Sequence, residues 1–181
     1  MDDPFQVDIQ GCRDRQSRLL EVMRAEKLEL VLLTRGDSVQ WLTGAYVGPL
    51  FAPAAAMDDQ GQVTLVLPSR KTSLRVAADE VVGYEEKWLS TMRDEQRAAS
   101  NEVLLQTLSA STGNAASRRV GGEWSQLGPR LLAEFGGEVE NIEPAIFQLR
   151  RRKHPDELRM LLRANDANQK MYARARQMIE P

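Results

Sequence analysis

Between Arg13 and Lys27 the apolar positions Leu19, Leu20, Val22 and Met23, with Leu28 just beyond, recur at close to 3.6-residue spacing. That spacing predicts an amphipathic helix. The period is then lost: Leu28 to Thr34 (LELVLLT) is almost continuously apolar, the pattern of a strand buried on both faces of its sheet. Arg35 to Val39 (RGDSV) is expected to be a turn, followed by Val39 to Gly44 (VQWLTG) and a loop carrying Gly48, Pro49 and Pro53. In AAAMDDQGQVTLVLP, Asp58-Asp59-Gln60-Gly61 separates two apolar runs, which predicts an antiparallel hairpin. Ser69 is placed to cap a helix through Leu74, Val76 and Ala77, and VVGYEE (Val81 to Glu86) predicts another strand. A helix over Met92 to Leu108 comes next, then a strand over Arg118 to Gly122. Gln126 to Phe135 predicts a helix stopped by Gly136-Gly137. Gly137 to Ile142 reads as a last strand, or as an extended lead into a short helix opened by Pro144. Strands and helices alternate and at least one strand pair is antiparallel. The expected fold class is therefore α/β, a mixed, partly antiparallel sheet flanked by helices on both faces.

The chain closes on its longest periodic segment. Lys153-His154-Pro155-Asp156-Glu157 places His154 at a helix cap, Pro155 at the first helical position and two carboxylates where the helix dipole favours negative charge. Helical character continues to Glu180, an element of about 39 Å. Its apolar band runs through Leu158, Leu161, Leu162, Ala164, Ala167, Met171, Ala175, Met178 and Ile179 and requires a partner surface. Residues 1–149 are expected to form one α/β domain that covers part of this band. Residues 150–181 are expected to be a linker and the first helix of a truncated second domain, with Pro181 leading into a turn.

Composition narrows the function classes. With 42% hydrophobic residues in 181, the chain can bury a core of domain size. The 24 basic and 26 acidic residues leave a net charge of -2, so no global field draws nucleic acid or an anionic membrane. No apolar run reaches the ~18 residues of a membrane span, and MDDPFQVDIQG lacks the features of a signal peptide, which makes the cytoplasm the expected compartment. Cys12 is the single cysteine, so no internal disulfide forms, and it reads as an ordinary thiol near a helix start. Arg35-Gly36-Asp37 matches an integrin-recognition tripeptide, a weak signal without a secretory sequence. From Phe147 to Arg163 six basic residues (Arg150, Arg151, Arg152, Lys153, Arg159 and Arg163) face two acidic ones. A phosphate-binding strip and a solvated interdomain linker are the alternatives. The run carries no interleaved aromatics, and the linker reading is preferred. His154, the only histidine, suits a cap better than a catalytic base. Phosphate loops, nucleophile elbows and paired-histidine motifs are missing from the sequence.

Three segments, in order, resemble the amino-terminal domain of the creatinase, prolidase and aminopeptidase P family. They are Arg13-x4-Arg18-Leu19-x3-Met23 leading to the strand at Leu30 to Leu33, then Trp41-Leu42-Thr43-Gly44, and finally Lys153-x-Pro155-x-Glu157-Leu158 with Ala164 beyond. The resemblance implies a mixed sheet between helices. It also implies a catalytic domain after Pro181 that holds two divalent metal ions (Mn, Co or Zn) through two aspartates, a histidine and two glutamates. None of those positions falls in these 181 residues, so no catalytic residue, metal ligand or cofactor is expected here. The implied parent is a metal-dependent hydrolase of Xaa-Pro peptides. This portion would serve oligomerisation and substrate access, with its own catalytic domain, a second copy of the chain and a peptide substrate as partners, and with no nucleic acid or membrane. The loop holding Tyr46, Pro49, Leu50 and Phe51 is the candidate contact with a partner subunit's active site, although for Tyr46 and Phe51 a plain core role is the preferred reading. Ala52 stands where creatinase places a substrate-contacting arginine, which disfavours creatine. The alternative is a stand-alone, non-catalytic module that binds peptides or histones.

Overall fold

A computed structural model of the chain describes residues 8–86, 93–112, 118–135 and 138–179. It divides into two compact units, one extending to Arg150 and one starting at Arg151. The first unit is a six-stranded mixed sheet between helices, as the residue pattern predicts. Its elements are α1 (Ile9–Glu26), β1 (Leu30–Leu33), α2 (Gly36–Thr43), β2 (Ala54–Asp58), β3 (Val63–Pro68), β4 (Glu80–Tyr84), α3 (Arg93–Thr112), β5 (Val120–Gly122), α4 (Pro129–Glu134), β6 (Val139–Asn141) and α5 (Glu143–Arg151). The strand order is β4-β3-β2-β1-β5-β6. β2 pairs antiparallel with both β1 and β3, whereas β3–β4, β1–β5 and β5–β6 are parallel.

The side-chain alternation of β1 separates two cores. Val31 and Leu33 face one apolar layer with Leu19 and Met23 of α1, Val39 and Leu42 of α2, and Ile146 of α5. Leu30 and Leu32 face the other, with Leu104 and Leu108 of α3 and Leu131 of α4. All four β1 residues are buried, which is why their sequence shows no polar alternation. At the β2–β3 hairpin Asp58 Oδ1 accepts from the N–H groups of Gln60 and Gln62 at 3.0 and 2.8 Å, and Gly61 takes φ 82°. This left-handed conformation suits glycine.

Three local expectations are corrected. RGDSV is not a free turn, because Arg35 is the extended N-cap and Gly36 to Ser38 form the first turn of α2. Ser69 does not cap a helix through Ala77. Only a single 3-10 turn, Ser69–Lys71, forms, since the Ser69 hydroxyl donates to the Tyr84 carbonyl (2.8 Å) instead of capping a helix. The segment predicted as helix from Gln126 begins with a turn, Gln126 N–H to Glu123 O at 2.9 Å, and α4 starts only at Pro129. Met92 and the Gly136-Gly137 stop lie outside the described residues.

The second unit contains α6 (Pro155–Ile179). Its start is half of a capping box: the His154 carbonyl accepts the first helical bond from Leu158 N–H, and the Glu157 carboxylate accepts from His154 N–H at 2.9 Å. His154 Nδ1 lies 2.9 Å from Asp156 Oδ1. Leu158, Leu161, Leu162, Met171, Tyr172, Met178 and Ile179 are exposed.

Candidate functional site

The WLTG segment is the carboxyl end of α2, and each of its features serves that ending. Thr43 Oγ1 donates back to Val39 O at 2.7 Å and accepts from Ala45 N–H at 3.2 Å. Gly44 closes the helix in the left-handed region (φ 78°), its N–H donating to Gln40 O at 2.8 Å. Helix α1 reads this ending by polar contacts inside the core. Buried Arg15 donates from Nε to Trp41 O at 2.6 Å, and buried Gln16 donates from Nε2 to Leu42 O and Ala77 O at 3.1 and 2.7 Å. Cys12 is buried and accepts from Arg15 at 3.0 Å. Thr43 and Gly44 therefore end α2, the Trp41 and Leu42 carbonyls tie that ending to α1, and Pro155 opens α6 with Glu157 as its cap.

Helix α2 delivers the chain into the loop from Ala45 to Pro53. On it Tyr46 is 65% and Leu50 69% exposed, which settles Tyr46 as a surface residue; Phe51 is half-buried against the core. Both flanks of this loop are fixed. Downstream, the hydroxyl of fully buried Tyr84 accepts from Ala52 N–H at 3.2 Å. Upstream, Glu123, at the end of β5 and fully buried, accepts through Oε2 from the N–H groups of Thr34 and Arg35, each at 2.8 Å, and so fixes the start of α2.

Around Glu123 lies a network of charges. Arg35 pairs with Asp37 at 3.2 Å, approaches Glu143 at 3.8 Å and stacks over the Phe147 ring at 5.6 Å. Arg150 donates to Asp37 at 2.8 Å, and the Ser125 hydroxyl donates to Glu143. Partial burial raises the Asp37 pKa, but the two guanidinium groups outweigh it and bring it to about 2. Glu123 is the reverse case: desolvation raises its pKa, and hydrogen bonds from Ser38, Arg35 and Thr34 with the Arg35 charge offset only part of the rise. Arg35 and Asp37 of the integrin-like tripeptide are thus engaged with each other, and the first cation of the Arg150–Lys153 run is engaged with Asp37.

Between the loop, the start of α2, Arg97 of α3 and Gln126 lies a cavity of about 460 Å³. Tyr46, Pro49, Leu50 and Phe51, the loop residues singled out from the sequence, all line it. Lys153, Pro155 and Glu157 belong to the second unit. Sequence reasoning missed Thr34, Tyr84, Arg97 and Glu123, none of which stands in a motif; only the isolated carboxylate after the Val120-Gly121-Gly122 run hinted at Glu123. Among the described residues no group of three or more His, Cys, Asp or Glu could hold a metal ion. No helix among these residues is long and apolar enough to cross a membrane.

The family model described as Creatinase/Prolidase N-terminal domain matches residues 15–151. Among solved structures, a proline dipeptidase from Streptococcus pneumoniae aligns with a TM-score of 0.55 at 20% identity, over 76% of this chain and 98% of that one. The prolidase from Pyrococcus horikoshii aligns at 0.55 and 15% identity, over 80% of this chain and 37% of that one. Dipeptidase PepE from Mycobacterium ulcerans aligns at 0.61 and 18% identity, over 93% of this chain and 44% of that one. The chain thus spans less than half of the two longer proteins. No curated protein matches it.

Proposed function

The chain belongs to the creatinase/prolidase N-terminal domain family, and from that premise we propose that it is the non-catalytic domain of a metal-dependent Xaa-Pro peptidase, serving oligomerisation and substrate access. The observation that carries this reading is the loop from Ala45 to Pro53. It presents Tyr46 and Leu50 to solvent while Glu123 and Tyr84 fix its flanks, an arrangement suited to docking against a second copy of the chain. Support for a peptidase parent comes from the names of the similar structures, a proline dipeptidase and a prolidase among them. The metals, the bond-breaking step and the peptide contacts belong on this reading to a domain outside these residues, and the compartment is the cytoplasm.

Two measurements test it. Sedimentation equilibrium of the 181-residue chain is expected to show self-association that Tyr46→Ser and Leu50→Asp weaken. A monomer at all concentrations would overturn the oligomerisation role. With added Mn, Co or Zn the same chain is expected to leave Xaa-Pro peptides intact, and turnover would overturn the non-catalytic role.

A further inference from the structure

We propose that Asp37 is the positioning residue of a hinge: by holding Arg150 it keeps the whole of α5 on the first unit and confines motion between the two units to Arg151, Arg152 and Lys153. The contacts of α5 carry the first step. Its inner face buries Ile146 in the core, with Ala145 and Leu149 packed against the same layer. Three guanidinium groups hold the rest. Arg35, the N-cap of α2, approaches Glu143 at 3.8 Å and lies over the Phe147 ring at 5.6 Å. Arg18 of α1 donates to the Leu149 carbonyl at 2.6 Å, one of the last carbonyls of α5, which lack an intrahelical partner. Arg150 donates to Asp37 in the first turn of α2 at 2.8 Å. The helix is thus held from its first turn to its last. Asp37 is nearly half exposed, so its ion pairs add little to global stability. They join positions 113 apart in the chain, and what they set is where the end of α5 lies on α2.

The far side of the crossing is fixed as well. Glu157 accepts from His154 N–H, and His154 Nδ1 lies 2.9 Å from Asp156 Oδ1, which ties His154 to the start of α6. Pro155 restricts His154 further, to extended backbone. Between the two fixed ends stand Arg151, the last residue of α5, and Arg152 and Lys153, which belong to neither helix. Successive cations repel one another and favour an extended chain. The boundary between the two compact units falls at the same place, directly after the residue that Asp37 holds. The loop from Ala45 to Pro53, which α2 carries, stays on the fixed side of the hinge together with α5.

Amide relaxation and residual dipolar couplings of the 181-residue chain test this. Order parameters are expected to stay near about 0.85 through Arg150, to fall below about 0.6 within Arg151 to Lys153 and to recover in α6. The couplings of α6 should require an alignment tensor different from that of the first unit. Asp37→Asn and Arg150→Gln should each move the break upstream, lowering the order parameters of Gln148 to Arg150 while those of α1 keep their wild-type values. The double variant should do no more than Asp37→Asn alone, because Arg150→Gln removes a contact that Asp37→Asn already breaks. Arg150→Lys, which keeps a cation for Asp37, should leave the break in place. One alignment tensor for both units, a wild-type break upstream of Gln148, or unchanged order at Gln148 to Arg150 in both single variants would each overturn the proposal. Equal losses of order in α1 would do so too, since they mark a general loosening. The hinge does not depend on the oligomerisation reading: a monomer with the break after Arg150 and a self-associating chain without it are distinguishable results.

Discussion

Removing the Glu123 side chain tests whether this carboxylate sets the start of α2. In Glu123→Ala the N–H groups of Thr34 and Arg35 both lose their acceptor, and Thr34 is buried. Each unpaired amide costs about 1–3 kcal/mol, and the vacated volume at a fully buried position adds roughly 1 kcal/mol. The expected loss is therefore about 3–7 kcal/mol, a large part of a typical domain's stability. Glu123→Gln behaves differently. Both amides are bound by the same oxygen, Oε2, so a glutamine oxygen in its place accepts both. The amide also avoids the desolvation that raises the carboxyl pKa. Its cost should be about 1 kcal/mol or less. The sign of the pH dependence follows from the same shift. A folded-state pKa raised above the ordinary 4.5 means that the native state holds the proton more tightly than the unfolded chain does. Glu123 thus contributes a fall in stability as pH rises from that ordinary value through the raised one. Glutamine abolishes this contribution, so its difference from wild type should move in its favour across that window. Urea unfolding followed by far-UV circular dichroism, with unchanged m-values, measures all of this. A Glu123→Ala loss below about 1 kcal/mol, or a Glu123→Gln loss equal to it, would refute the reasoning.

Two further outcomes are expected. Gly44→Ala, which places a Cβ at φ 78°, should lower stability by about 1–2 kcal/mol and uncouple α1 from α2, read as a fall in Tm. Asp37 titrates in the direction opposite to Glu123: its pKa is depressed from 3.8 to about 2, so its contribution is present above pH 3.8 and is lost as pH falls through about 2. Nearly half of the Asp37 side chain is exposed and screened, so wild type should exceed Asp37→Asn by only about 1 kcal/mol near neutrality, with the difference vanishing in acid urea titrations.

The architecture was legible wherever burial imposes a period. The apolar run at β1, the hairpin at Asp58 to Gly61 and the 3.6-residue spacing of α1 each depend on contacts that the chain's own pattern encodes. Errors fell where a few polar contacts decide the matter. RGDSV has turn composition, yet Glu123, some 90 positions away, accepts its first N–H and makes it a helix start. Ser69 has capping chemistry, but its hydroxyl is taken by the Tyr84 carbonyl on the neighbouring strand. Long-range hydrogen bonds of this kind leave no periodic trace. The same reason hid Thr34 and Tyr84, whose roles come only from which strand ends meet.

The segments that carried the family resemblance are, in the first unit, scaffolding. Trp41, Thr43 and Gly44 end a helix, and Arg15 and Gln16 hold that ending from inside the core by donating to its backbone carbonyls. A motif of this type identifies a fold because its geometry tolerates few substitutes, and for the same reason it says little about chemistry.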